Sequence, residues 1–229
     1  MASIDLYTGA DVGPYVRLPS LEPVQHRANR RFRSHCDFWQ QRLLKHPHRS
    51  EFHSRAEYLH AGLLEGNPAV TAFVPQPFLL QVGRQWYTPD VYVVEDGRRR
   101  VVEIKPEGRM DEALQGPVTA FFARHDVAFE VVANERILEQ QQAAENWLEL
   151  VRRLVAAGER DTTVAETQVW EALLRQPQGL TLGALIDGGA RERTYTREIA
   201  LYRLMHRGRV RAPFHDKRLD FDLELTPWP

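Results

Sequence analysis

The chain has 229 residues, 27% of them charged and 43% hydrophobic, with a net charge of −1. That balance suits one large globular domain or two small ones and excludes a polyanion partner recognised by overall charge, so any nucleic-acid surface must be local. The single cysteine, Cys36, excludes an internal disulfide, and no apolar run is long enough to span a bilayer.

The N-terminus, MASIDLYTGADVGPYV, lacks a basic start and an apolar core, so no signal peptide is expected and the chain reads as a soluble cytoplasmic protein. Residues 1–24, rich in Gly and Pro, read as an extended arm. Residues 24–49 are basic, with Arg27, Arg30, Arg31, Arg33, Arg42, Lys45 and Arg49 against Asp37, and with Phe32, Phe38 and Trp39 interleaved. Such a stretch can follow a phosphate backbone; it can equally be a solvated face over packed aromatics. His46, His48, His53 and His60 lack the spacing of a zinc site and are read with this surface, while Cys36 has no evident activator.

Phe52, Ala56, Leu59 and Leu63 recur at helical spacing, predicting a helix over 54–64 that Gly66-Asn67-Pro68 ends. VTAFVPQPFLLQV has broken strand character. YTPDVYVVEDGRRRVVEIKP reads as a hairpin turning at Asp96-Gly97, followed by a helix over 109–124 interrupted at Gly116-Pro117 and a strand over 127–133. The order α-β-β-β-α-β predicts an α/β domain over 25–134. A connecting helix is expected over 135–158. The remainder, 159–229, reads as three helices and a hairpin turning at HDKR, a winged-helix pattern. No phosphate-loop or dinucleotide-binding glycine motif occurs.

The hairpin carries the chemistry. A two-residue turn at Asp96-Gly97 sets Glu95 opposite Arg98, Tyr92 opposite Val101 and Asp90 opposite Glu103. Lys105 then points the same way as the two acids, while Val91, Val93, Val102 and Ile104 form the other face. Opposed Cα atoms lie about 4.5–5.5 Å apart, so two facing carboxylates need a proton or a cation between them. A hard divalent cation such as Mg²⁺ takes oxygen ligands, and the Ile104 carbonyl could add one. Lys105 could orient a water or stabilise charge on a phosphorus, which makes metal-assisted phosphodiester hydrolysis one reading. A structural Glu103–Lys105 ion pair is the other. On the preceding helix, Glu57 borders the buried face but also sits three residues after Ser54, where a capping box wants it; Glu51 and Glu65 are its rivals.

Pro89-Asp90 followed by Glu103-Ile104-Lys105 resembles the PD-(D/E)xK nuclease superfamily. The longer run SRAEYLHAGLLEGNPAVTAFVPQP, with Gln76 in the expected place, looks like the N-terminal domain of TnsA-type transposon endonucleases, and the resemblance covers about residues 25–133. It implies a restriction-endonuclease-like core followed by a winged-helix-like domain. It assigns catalysis to Glu57, Asp90, Glu103 and Lys105, and Mg²⁺, with Mn²⁺ as substitute, to the three acids and the Ile104 carbonyl. The implied activity is cleavage of the non-transferred strands at transposon 5′ ends in double-stranded DNA. The implied partners are a TnsB-like DDE transposase and a TnsC-like AAA+ ATPase, in a bacterial cytoplasm at the nucleoid. Arg30, Arg31 and Arg33 in the basic stretch, and Arg193, Thr194 and Arg197 at the start of the last helix, are candidate DNA or partner contacts. Gln115 reads as a surface glutamine. Another nuclease of the superfamily, or a non-catalytic DNA-bridging subunit, is compatible with the same residues.

Overall fold

A computed structural model describes residues 15–28, 33–176 and 179–228. They form a mixed α/β protein whose chain divides into two compact units. Among the described residues, the first comprises 15–28, 33–41, 45–58 and 69–139, and the second 42–44, 59–68, 140–176 and 179–228. The units are thus interleaved in sequence, and the helix α1 (Arg55–Gly66) begins in one and ends in the other. Among the described residues no helix is long and apolar enough to cross a membrane.

The first unit is built on a four-stranded sheet of β4 (Val70–Pro75), β7 (Val91–Glu95), β8 (Arg98–Lys105) and β9 (Ala128–Ala133), in that order. The first two pairings are antiparallel and β8 runs parallel to β9. A parallel pair needs a crossover, which α2 (Glu112–Ala123) supplies after its N-cap Asp111 accepts from the Ala113 N–H at 2.9 Å. Pro117 lies within this helix, which continues through the expected break. Asp96 and Gly97 have φ of 47° and 75°, as a tight hairpin turn requires. The ladder accordingly runs from Glu95 opposite Arg98 to Val91 opposite Val102.

Residues 1–14 of the expected N-terminal arm lie outside the described residues, and the rest of it is paired into the fold. Strand β1 (Val16–Arg17) pairs with β5 (Leu80–Val82), which pairs in turn with β6 (Gln85–Tyr87). Val16 and Leu18 are buried with Phe78, Leu80, Val101 and Phe122 in one apolar cluster. The basic stretch runs into a hairpin, β2 (Trp39–Arg42) with β3 (Arg49–Phe52), which its charge had masked.

The expected connecting helix is two helices, α3 (Asn134–Leu138) and α4 (Gln141–Ala157), the first in unit one and the second in unit two. Unit two continues with α5 (Thr163–Arg175), β10 (Leu180–Thr181), α6 (Leu182–Leu185), α7 (Arg191–His206), β11 (Val210–Arg211) and β12 (Glu224–Pro227). Its small antiparallel sheet has the order β10-β12-β11. Asn146 ties the segment before β12 to α4, donating to the carbonyls of Phe214 (3.1 Å) and Lys217 (2.7 Å) and accepting from the Leu219 N–H (3.0 Å). Glu198, buried, is held by Arg153 at 2.8 Å, by Arg191 and by the Tyr202 hydroxyl at 2.9 Å.

Candidate active site

The site lies where the β7–β8 ladder stops. Val91 and Val102 form its last pair. Two residues on, Ile104 would face Pro89, which has no N–H to offer. The Ile104 N–H turns instead to the Asp90 side chain and donates to Oδ2 at 2.6 Å. Within a strand, a residue's N–H and C=O point toward the same edge, so the Ile104 carbonyl faces the same gap without a ladder donor. The Pro-Asp pair thus ends the pairing, places a carboxylate there and leaves a carbonyl beside it.

Glu103 is 1% exposed, and each of its oxygens has a partner. The Tyr87 hydroxyl, from β6, donates to Oε2 at 2.6 Å, and Lys105 Nζ lies 2.6 Å from Oε1. Sequence reading missed Tyr87. Its hydroxyl pKa is pushed far up, first by burial and then by the Glu103 charge, so the group stays a donor.

Glu57 serves two functions at once. The Ser54 hydroxyl accepts from the Glu57 N–H at 3.2 Å, and the Glu57 carboxylate accepts from Ser54 Oγ and from the His53 N–H, each at 3.0 Å. That is a capping arrangement shifted by one residue at the start of α1. Its Oε2 also accepts from Gln76 Nε2 at 2.7 Å. Gln76, buried between Pro75 and Pro77 with φ of 41°, donates its backbone N–H to the Asp90 carbonyl at 2.8 Å. One residue in a left-handed conformation therefore holds the Glu57 side chain and the Asp90 backbone.

The charges act on one another. Loss of hydration raises the Asp90 pKa well above the usual aspartate range, and Glu103 and Glu57 raise it further, against the pull of Lys105 and the Ile104 N–H. Glu57 is also raised, first by loss of hydration; Glu103 adds to this while Lys105 opposes it. Burial works to lower the Lys105 pKa and is outweighed by Asp90, Glu103 and Glu57, so the ammonium is held charged. Negative charge thus exceeds its compensation here, the condition a divalent cation relieves. Three carboxylates and a carbonyl are the donor chemistry of a hard cation. As placed, each carboxylate is turned to a protein donor, and among the described residues no group of three or more His, Cys, Asp or Glu side chains is set to hold a metal ion. A cavity of about 350 Å³ opens beside Lys105, lined also by Pro106, Glu107, Gln115 and Arg136.

No protein-family model matches the chain, and no curated protein matches it in sequence.

The other candidates are dispersed. Arg30 and Arg31 lie outside the described residues. Arg33 is engaged within the fold: its guanidinium donates to the Ala28 carbonyl at 2.9 Å, lies over the Phe38 ring and sits 3.1 Å from Glu51 Oε2. That last contact is an ion pair by distance without hydrogen-bond alignment. Arg193 and Arg197 are exposed; Arg197 reaches the Leu185 carbonyl at 3.3 Å, and the Thr194 hydroxyl accepts from the Asp187 N–H at 3.2 Å. The histidines do not form a common surface: His46 is buried on Ser50 Oγ at 2.8 Å, and His60 is also buried. Of the rival acids, Glu51 accepts from Gln40 Nε2 at 3.0 Å, while Glu65 bonds the Leu44 N–H at 2.9 Å and His206 at 2.8 Å, within unit two. Gln115, read as a surface glutamine, lines the cavity with Lys105.

Proposed function

We propose that this protein is a metal-dependent DNA endonuclease of the TnsA type, cutting the non-transferred strands at transposon 5′ ends beside a DDE transposase. The observation that carries the proposal is the mutual electrostatic influence of Asp90, Glu103, Glu57 and Lys105 at the end of the β7–β8 ladder, with negative charge in excess; a cavity lined by Lys105, though by none of the three acids, adjoins it. A restriction-endonuclease-like core and a winged-helix second domain are the finer fold assignments that go with this reading, and the order of strands and helices in each unit supports them.

In this reading Asp90, Glu103, Glu57 and the Ile104 carbonyl would hold Mg²⁺, with Mn²⁺ as substitute. The ion supplies Lewis-acid stabilisation of a scissile phosphate and a more acidic water. Tyr87 fixes Glu103 and leaves Oε1 toward Lys105. Lys105, kept protonated, offers positive charge to the phosphoryl oxygens as negative charge grows in the transition state. Gln76 restrains Glu57 and the backbone of Asp90 together. The transposase and an AAA+ ATPase are partners in the same proposal, as is a bacterial cytoplasmic setting.

The test is strand cleavage of transposon-end DNA, with the transposase present, in Mg²⁺ or Mn²⁺. Asp90→Ala should abolish 5′-strand cutting while DNA association persists. Full cleavage by that variant would overturn the proposal. Cutting that needs no transposase would instead indicate a restriction or repair nuclease. That each carboxylate already accepts from at least one protein donor favours one second reading, a non-catalytic DNA-bridging subunit with structural acids. Dependence of cutting on the added divalent ion separates the two.

A further inference from the structure

Residues 24–26 run along the Pro75-Gln76-Pro77 segment, with the Val24 N–H donating to the Pro77 carbonyl at 3.0 Å and the His26 N–H to the Gln76 carbonyl at 2.9 Å. These two backbone bonds deliver the side chain between them, Gln25, to Gln76. Gln25 Nε2 donates to the Glu51 carbonyl at 2.9 Å and to Gln76 Oε1 at 3.0 Å. Gln76 Nε2 then donates to Glu57 Oε2 at 2.7 Å.

The direction of this chain is fixed by its ends. A backbone carbonyl only accepts, so the end of Gln25 at Glu51 must be its NH₂ group. That group has two hydrogens, and the second goes to Gln76, which must meet it with its oxygen. The NH₂ group of Gln76 is then left for Glu57, whose ionised carboxylate only accepts. If Gln76 turned over, its oxygen would face a carboxylate oxygen in a buried place.

We infer that Gln25 is a positioning residue that acts through Gln76 to orient Glu57, so that a segment near the N-terminus sets the geometry of the candidate active site. The inference rests on the reading that Glu57 belongs to a divalent-ion site. Ligand carboxylates depend on such outer hydrogen bonds, whose removal costs about 10–100-fold in metal affinity. Gln25 stands one bond further out than Gln76. Its side-chain route to Glu57 runs through the Gln76 amide.

The experiment is a double-mutant cycle on the full chain, read by Mn²⁺ binding in calorimetry. Gln76→Ala should weaken binding by about 10-fold or more. Gln25→Ala should weaken it by less, and the double variant should match Gln76→Ala alone. Losses that multiply would overturn the relay. Gln25→Glu should bind more weakly than Gln25→Ala, because a carboxylate at 25 claims the Gln76 hydrogens and turns its oxygen toward Glu57; equal affinities would contradict the assigned direction. Gln25→Met, of similar length and without polar atoms, replaces the alanine variant if that one does not fold. The nuclease reading fails separately, if the wild-type chain binds no Mn²⁺ or Asp90→Ala binds it as tightly. The relay is then read by NMR, as slow exchange of the Gln76 side-chain amide in wild type and fast exchange in Gln25→Ala. Unchanged exchange rejects it.

Discussion

Tyr87 and Glu103 are joined by a 2.6 Å hydrogen bond between a short outer strand and the central sheet. The carboxylate is 1% exposed, so no water replaces the phenol if it is lost. Hydrogen bonds to charged groups contribute about 1.5–3 kcal/mol. Tyr87→Phe should therefore lower the unfolding free energy by about 2 kcal/mol in a urea titration. It should also reduce metal-dependent cleavage, because Glu103 loses the bond that fixes Oε2. A change within about 0.5 kcal/mol, the range of ordinary surface substitutions, would show that the bond does not hold in solution.

The raised pKa values of Asp90 and Glu57 fix the sign of a pH dependence. A carboxyl whose folded pKa exceeds its unfolded value stabilises the fold while neutral. That contribution is full below the ordinary values, 3.8 for Asp90 and 4.5 for Glu57, and is lost as pH rises through the raised folded values. Without divalent ions, these two groups should make thermal stability fall as pH rises from about 5 toward neutrality. Asp90→Asn should flatten the profile and raise stability at pH 7, since the amide still accepts from Ile104 and carries no charge. Under the proposed function, Mg²⁺ should restore the wild-type loss and do little for the variant. Thermal melts at stepped pH, with and without Mg²⁺, read both effects.

Glu57 should separate capping from chemistry. Glu57→Ala loses the bonds to Ser54 and His53 as well as to Gln76, and loss of a cap costs about 1 kcal/mol. Glu57→Gln retains an oxygen for one donor but carries no charge. Both variants should lose metal-dependent cleavage to a similar extent, with the alanine variant the less stable in denaturant titration. Cleavage that tracked stability across the pair would make Glu57 a structural residue alone.

The hairpin was the most legible part of the molecule, because Asp96-Gly97 dictates the turn and the turn dictates the register. The observed ladder follows that register from Glu95 opposite Arg98 to Val91 opposite Val102 and ends one pair short of Asp90 and Glu103, while Lys105 meets Glu103 as strand periodicity expects. Glu57 was legible as a border residue of α1; its capping role is seen in the bonds to Ser54 and His53, and its role in the site belongs to the proposal. Tyr87 and Gln25 were not legible. Each reaches the site from a segment whose place is set by tertiary pairing, β6 against β5 and residues 24–26 against Gln76, and neither leaves a local pattern. The break between α3 and α4 at Glu139-Gln140 has no Gly or Pro to announce it. The basic stretch misled because its charges obscured the two short strands, and because Glu51, its buried counter-ion, lies just beyond it in sequence.

The choice among the acids near α1 has its own test at Glu65. This residue is fully buried, and its two oxygens bond the Leu44 N–H and His206 Nε2. Both partners belong to unit two with it, whereas Asp90, Glu103 and Lys105 belong to unit one. Glu65→Ala removes a buried acceptor from the Leu44 N–H and from the part-buried His206 ring and should cost about 1–3 kcal/mol. At a temperature where the variant is still folded, cleavage per folded molecule should equal that of wild type. Glu57→Gln should show the reverse, a small change in stability with loss of cleavage. Measured side by side by denaturant titration and strand cutting, the two variants identify which acid serves the chemistry: a Glu65 variant that is stable but inactive would transfer the third-acid role from Glu57 to Glu65.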